Sequence, residues 1–269
     1  MPKNTARTRK RGAGRRHPLA AVALLAIGLF ASGGAYAAFT ATSASAETTQ
    51  SEEQLVEDGG KLFAANCATC HGMNLEGTDN GPTLLGVGAA SVEFQVATGR
   101  MPMAANGPQA ERKPVQFTDE QIEALYTFVA SKAPGPGIPD EQYLNGEGTD
   151  AAVGAELFRI NCAMCHNVAG AGGALTEGKF APALHGVEPI HVYEAMLTGP
   201  QNMPVFNDQN ISPEDKANII AYLQFLENEP SVGGFTLGSL GPVSEGLFIW
   251  IFGLGAIVAI TVWLTAKSN

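Results

Sequence analysis

Charged residues are scarce in this chain, and basic ones scarcer still. Only 16% of its 269 residues are charged, with 16 Lys plus Arg against 26 Asp plus Glu and a formal net charge of -10. Such a balance suits a phosphate backbone poorly, so no nucleic acid is expected among the partners. The 45% apolar content is too high for a disordered tail. The 32 glycines lack the period of a collagen. No general base and nucleophile stand in a recognisable catalytic set, so no catalytic residue is expected. Cysteine is limited to four residues and histidine to five, and these few carry most of the chemistry.

The basic residues are concentrated at the N-terminus. Residues 1–16 hold seven of them (Lys3, Arg7, Arg9, Lys10, Arg11, Arg15, Arg16) and no acid. The stretch 47–246 holds eight, against all 26 acids, and Lys267 is the last. Behind the basic head, Leu19 to Phe39 is uncharged and rich in Ala, Leu, Val, Ile and Phe. Residues 1–46 therefore read as a signal peptide or a retained signal anchor. Ala44-Ser45-Ala46 offers a small-residue cleavage pattern, and the apolar run is roughly long enough to span a bilayer. A second uncharged run, residues 247–266, has Trp250 and Trp263 near opposite ends. Its length at about 1.5 Å per residue matches a hydrocarbon core of roughly 30 Å, which predicts a C-terminal transmembrane helix. Basic flanks stay inside, so the C-terminus is expected in the cytoplasm and the acidic body on the extracytoplasmic side of the cell membrane.

All four cysteines fall in two pentapeptides. Cys67-Ala68-Thr69-Cys70-His71 is one and Cys162-Ala163-Met164-Cys165-His166 is the other. C-x-x-C-H is the attachment sequence of c-type haem: two thiols form thioethers to the vinyl groups, and the histidine supplies an axial nitrogen. Disulfides, a Cys-x-x-Cys redox pair or a four-thiolate metal site would leave the histidines or the surrounding repeat unexplained. Two covalently bound haem c groups are expected, on Cys67, Cys70 and His71 and on Cys162, Cys165 and His166.

The pentapeptides lie in a longer repeat. Gly59-Gly60-Lys61-Leu62-Phe63-Ala64-Ala65-Asn66-Cys67 parallels Gly154-Ala155-Glu156-Leu157-Phe158-Arg159-Ile160-Asn161-Cys162, offset by 95 residues. Gly81-Pro82-Thr83-Leu84 echoes Ala181-Pro182-Ala183-Leu184, and Thr98-Gly99 echoes Thr198-Gly199. Each copy closes with a helix. Thr118 is the expected N-cap of one, with Gln121 at N3 and Ile122, Leu125, Tyr126 and Val129 following. Ser212 with Pro213 at N1 opens the other, followed by Ile219, Ile220, Leu223, Phe225 and Leu226. Each closing helix is expected to cross the helix before C-x-x-C-H. The fold class is all-α: two tandem class I cytochrome c domains, residues 52–132 and 152–229, joined by a Pro/Gly-rich linker at 133–151. Residues 40–51 read as a tether, and residues 104–116 as a polar insert that forms a docking surface or a long loop.

One axial position per iron remains. Thioether sulfur fills it commonly and raises the potential. Met101 and Met203 are the preferred ligands, because each precedes a proline that stiffens the loop presenting it. Met103 rivals Met101. Met196, His185 and His191 rival Met203, although the first copy has no histidine besides His71 and would break a bis-histidine pattern. The carbonyls near Pro82 and Pro182 are placed to accept the proximal imidazole N–H, and Arg100 to meet a haem propionate.

Taken together, the layout resembles the dihaem cytochrome c subunit of the actinobacterial cytochrome bc1 complex. The resemblance rests on the basic head with its apolar segment, two GxxLFxxNCxxCH units, the Gly99-Arg100-Met101-Pro102-Met103 run and the terminal apolar span. It implies a subunit of a menaquinol:cytochrome c reductase that takes electrons from the Rieske iron–sulfur subunit and passes them toward an aa3-type cytochrome c oxidase in a supercomplex. Quinol oxidation would belong to the cytochrome b and Rieske partners. By the resemblance, Met101 and Met203 complete the two iron sites. Two other readings fit less of the layout: a membrane-anchored dihaem cytochrome c of another oxidase or dehydrogenase, and a haem sensor or peroxidase-like protein with an open iron site.

Overall fold

A computed structural model describes residues 18–44, 51–105, 107–228, 237 and 242–267. The chain divides into two units between Gln50 and Ser51. In the first, the described residues form a single apolar helix, α1 (Pro18–Ala44). It continues through residues 40–44, where a tether was expected, because Ala, Phe and Thr carry on from the apolar run without a breaker. Ser45 and Ala46 of the cleavage pattern lie outside the described residues.

The second unit contains two helical repeats. The first comprises α2 (Glu52–Asn66), α3 (Ala68–His71), α4 (Gly88–Ala97) and α5 (Asp119–Ala130). The second comprises α6 (Ala151–Asn161), α7 (Ala163–His166), α8 (Pro189–Thr198) and α9 (Pro213–Asn228). The second repeat also carries a two-stranded antiparallel ribbon, β1 (Gly173–Ala174) with β2 (Phe180–Ala181). Side-chain caps start the long helices. At α2, Ser51 and Gln54 form a reciprocal capping box, with Glu52 and Glu53 favourably placed at the positive end of the helix dipole. At α5, the Gln121 N–H donates to Thr118 Oγ1 at 3.4 Å, while Gln121 Oε1 accepts from the Thr118 N–H at 3.0 Å. Asp150 accepts from two amides of α6, and Ser212 from the Asp215 amide of α9.

In each repeat the closing helix crosses the opening one, α5 on α2 and α9 on α6. The repeated glycines permit the crossing. A methyl group on Gly59 would sit 1.9 Å from the Ala124 carbonyl oxygen, and one on Gly154 would sit 1.9 Å from that of Asn218. Behind these contacts lie Phe63 and Phe158, only 2% and 0% exposed. Phe63 heads a core with Leu75, Val96, Ile122, Leu125 and Val129. Phe158 heads another with Val192, Tyr193, Met196, Ile219 and Leu223. Fully burying such a side chain is worth roughly 1.5–3 kcal/mol. Phe225 departs from the expected core set and is half exposed, because its position on α9 turns it away from α6.

The two repeats are packed together. α4 lies against α8. The linker is held from both sides. The Pro136 carbonyl accepts from the Ala90 N–H at 3.2 Å, and Tyr143 stacks on Tyr193 with ring centroids 6.1 Å apart. At the C-terminus, α10 (Pro242–Phe248), a π-helical stretch (Ile249–Leu254) and α11 (Gly255–Lys267) follow one another. Val243–Lys267 makes one 25-residue helix, long and apolar enough to cross a membrane, and its apolar stretch is nowhere buried. It starts four residues before the expected span, since Val243, Ser244 and Glu245 extend the helix beyond the apolar run.

Candidate haem sites

The two C-x-x-C-H segments fold alike. Each first cysteine ends a long helix and begins a one-turn helix, with φ and ψ of -121° and -34° at Cys67 and -120° and -35° at Cys162. Its amide donates to the carbonyl of the buried phenylalanine four residues earlier, at 2.8 Å in both repeats. The His71 and His166 amides donate back to the Cys67 and Cys162 carbonyls at 3.0 and 2.9 Å. A single turn therefore brings both thiols and the imidazole to one face. Burial, helped by the neighbouring cysteine, pushes the Cys67 and Cys162 thiols up to about 11.

Each imidazole is oriented by a proline carbonyl. His71 Nδ1 lies 2.8 Å from the Pro82 oxygen, and His166 Nδ1 lies 3.0 Å from the Pro182 oxygen. A carbonyl can only accept, so Nδ1 carries the proton and Nε2 keeps its lone pair for a metal. Burial lowers the His166 pKa more than this hydrogen bond raises it, which also favours the neutral ring.

The methionine loops follow α4 and α8. The Met101 N–H donates to the Gln95 carbonyl at 2.9 Å, and Met101 packs against the first core. Lys113 Nζ donates to the Pro102 carbonyl and ties down the same loop. Met203 packs against the second core, and its N–H donates to the Pro200 carbonyl at 3.0 Å. In the second repeat there is a cavity of about 210 Å³. Cys162, Cys165, His166, Met196 and Met203 all line it. Met73 and Met164 are exposed. Of the histidine rivals, His191 lines this cavity, but its Nε2 lies 3.5 Å from Glu93 Oε1. His185 does not line it.

Gln109, Ala110 and Arg112 of the insert reach this cavity from the other repeat, which the sequence did not reveal. Gln109 pairs with the β2 backbone in both directions: its Nε2 donates to the Phe180 carbonyl at 3.0 Å, and its Oε1 accepts from the Phe180 N–H at 2.9 Å. Ala110 is buried beneath Gln201, whose Oε1 accepts from the Ala110 N–H at 3.4 Å. Arg100, Gln109, Ala110 and Arg112, all from the first repeat, thus line the cavity of the second. Arg100 lies over the Phe94 ring, and burial together with the Arg112 charge lowers its pKa. Neither arginine has an acidic partner among the described residues. Arg100 is half-buried with the Arg112 charge beside it, an arrangement that an anionic ligand would relieve. An apolar cavity lined by two thiols, an imidazole, thioethers and two guanidiniums fits a haem c with its propionates.

The fold and these paired sites define a tandem c-type cytochrome. Residues 56–133 match the family described as Cytochrome c, and residues 149–223 match that described as Cytochrome C oxidase, cbb3-type, subunit III. Two cytochrome c domains imply covalently bound haem c. Across nearly the whole chain the similarity is narrower. The cytochrome bc1 complex cytochrome c subunit of Corynebacterium diphtheriae is 41% identical, with 98% of this chain and 99% of that protein aligned. That of Corynebacterium efficiens is 42% identical over 94% and 90%, and that of Mycobacterium tuberculosis 42% over 97% and 95%. The chain belongs to the family of cytochrome bc1 complex cytochrome c subunits.

Proposed function

We propose that this chain is the dihaem electron-carrying subunit of a membrane-bound, menaquinol-oxidising cytochrome bc1 complex. It would receive electrons from a Rieske iron–sulfur subunit beside cytochrome b and hand them toward an aa3-type oxidase. Each haem c would supply a one-electron redox couple. The observation that carries the reading is the twofold constellation of C-x-x-C-H with its proline-bonded imidazole, set in a chain similar to bc1 cytochrome c subunits along nearly its whole length.

The roles of the residues follow from their positions. Cys67 and Cys70 would fix the first haem and Cys162 and Cys165 the second. His71 and His166 would present Nε2 to iron, held in that tautomer by Pro82 and Pro182. Met101 and Met203 would supply the sixth ligands, each on a loop pinned by its own backbone N–H. Packing of Met101 against the first core favours it over Met103. Arg100 and Arg112 would neutralise propionates of the second haem and limit the cost of placing them in an apolar slot. The basic head and Lys267 support a cytoplasmic C-terminus with both haem domains outside the cell membrane.

A pyridine haemochrome assay on the purified chain should count two c-type haems, both low-spin, with the weak near-infrared band of methionine-ligated ferric iron. One haem per chain would overturn the dihaem assignment. Mild-detergent purification should recover cytochrome b, the Rieske protein and an aa3-type oxidase. The match of residues 149–223 to a cbb3-type oxidase subunit favours one alternative, a dihaem cytochrome of another oxidase. Recovery with an oxidase but without cytochrome b would establish that alternative.

A further inference from the structure

Between the repeats, where α4 meets α8, lies a buried cluster that the electron-carrier reading does not use. Glu93 of α4 faces His191 and Glu194 of α8, and one ligand atom from each lies within 4.8 Å of the others. Glu194 is completely buried, and His191 is 6% exposed. Glu93 Oε2 and both carboxylate oxygens of Glu194 are buried without a hydrogen-bond partner. An orphaned, buried carboxylate is among the costliest groups a protein can keep. Its presence at the seam between two domains calls for a cation.

We propose that Glu93, His191 and Glu194 form a zinc-class divalent cation site that fastens the first haem domain to the second. The donor set is one imidazole nitrogen and two carboxylates, which suits zinc. Charge balances as well: two carboxylates and a neutral imidazole cancel a dication, so the buried site becomes neutral. The spacing agrees. His191 Nε2 and Glu93 Oε1 are 3.5 Å apart. That is long for a charge-assisted hydrogen bond but close to the edge of a tetrahedron with bonds of about 2.0–2.1 Å, which is roughly 3.4 Å. Three protein donors leave the fourth position to water.

Without a cation the cluster needs a proton instead. Burial, and then the Glu93 carboxylate beside it, push Glu194 up to about 11. Burial alone would raise Glu93 too, but His191 and the neighbouring Glu194 carboxyl bring it below its usual value. A proton on Glu194 could bridge to Glu93, yet one Glu194 oxygen would still lack a partner. A metal takes up both carboxylates.

The test uses the full holo chain in detergent, with haem counted separately so that failure of the haem assignment is seen on its own. Metal analysis after desalting should find one zinc per chain. Removing it with a chelator should lower the melting temperature, and zinc alone should restore it. Glu194→Gln and Glu93→Gln keep the shape and remove the charge. Each should reduce zinc affinity by more than the roughly 10–100-fold typical of losing an outer-shell partner. Wild-type protein that holds no zinc and ignores added zinc overturns the proposal. So does a Glu194→Gln chain that binds zinc as the wild type does, or one that is equally stable and indifferent to chelator because a shared proton was sufficient. If a variant fails to fold, the wild-type metal content and its chelator response decide alone.

Discussion

The carbonyls of Pro82 and Pro182 leave Nε2 of each histidine free, and in the proposed reading Met101 and Met203 complete the two iron sites. Replacing Met203 by Ala should open one of the two irons. It should become high-spin and bind carbon monoxide, with the near-infrared band falling by about half. Met101→Ala should do the same at the other, whereas Met103→Ala should leave the band intact. Arg112 tests the rim. Arg112→Gln removes a positive charge from the cavity of the second repeat, and a nearby positive charge favours the reduced, less positive haem. Redox titration should show one of the two potentials lowered and the other unmoved. Two potentials shifting equally would mean that the arginine serves both sites.

At the scale of helices, the repeat reveals its design through two glycines. Gly59 and Gly154 occupy equal positions on α2 and α6, and each lets a partner backbone approach where a Cβ cannot fit. Gly59→Ala and Gly154→Ala should each separate a helix pair at a cost of about 1–3 kcal/mol or more, read as a lower melting temperature in thermal unfolding. This much was visible in the sequence, because the equivalences Gly59/Gly154, Phe63/Phe158 and Pro82/Pro182 each repeat a local environment. The caps at Thr118 and Ser212 were legible for the same reason, since capping depends on neighbours three residues apart. The contacts between the repeats were not. Gln109 meets Phe180 across 71 residues of chain, with no periodicity to announce it. Glu93 reads as an ordinary surface charge until α8 covers it, and His191 was weighed as an iron ligand rather than as a partner of Glu93. Arg100 was read as meeting a haem propionate, but nothing in its local sequence indicated that it lines the cavity of the second repeat.

Seen whole, the molecule is an unequal duplication. The helices of the two copies correspond, but the first copy sends Gln109, Ala110 and Arg112 across to the second. A chain severed in the linker near residue 145 should therefore behave asymmetrically. The C-terminal fragment, lacking Gln109, Ala110 and Arg112, should expose its haem edge. It should melt at a lower temperature than the same domain in the intact chain and bind external ligands such as imidazole more readily. Equal melting and equal ligand resistance would show that the arm is dispensable.

That borrowed wall also bears on order of manufacture. Translation delivers the arm before the pocket it covers, so by the time the second pair of thiols emerges its lid is already waiting. The converse does not hold, and a mutation that ruins the early half would leave the later one unroofed. Shuffling the halves or grafting the second one onto another carrier would therefore transplant an incomplete part.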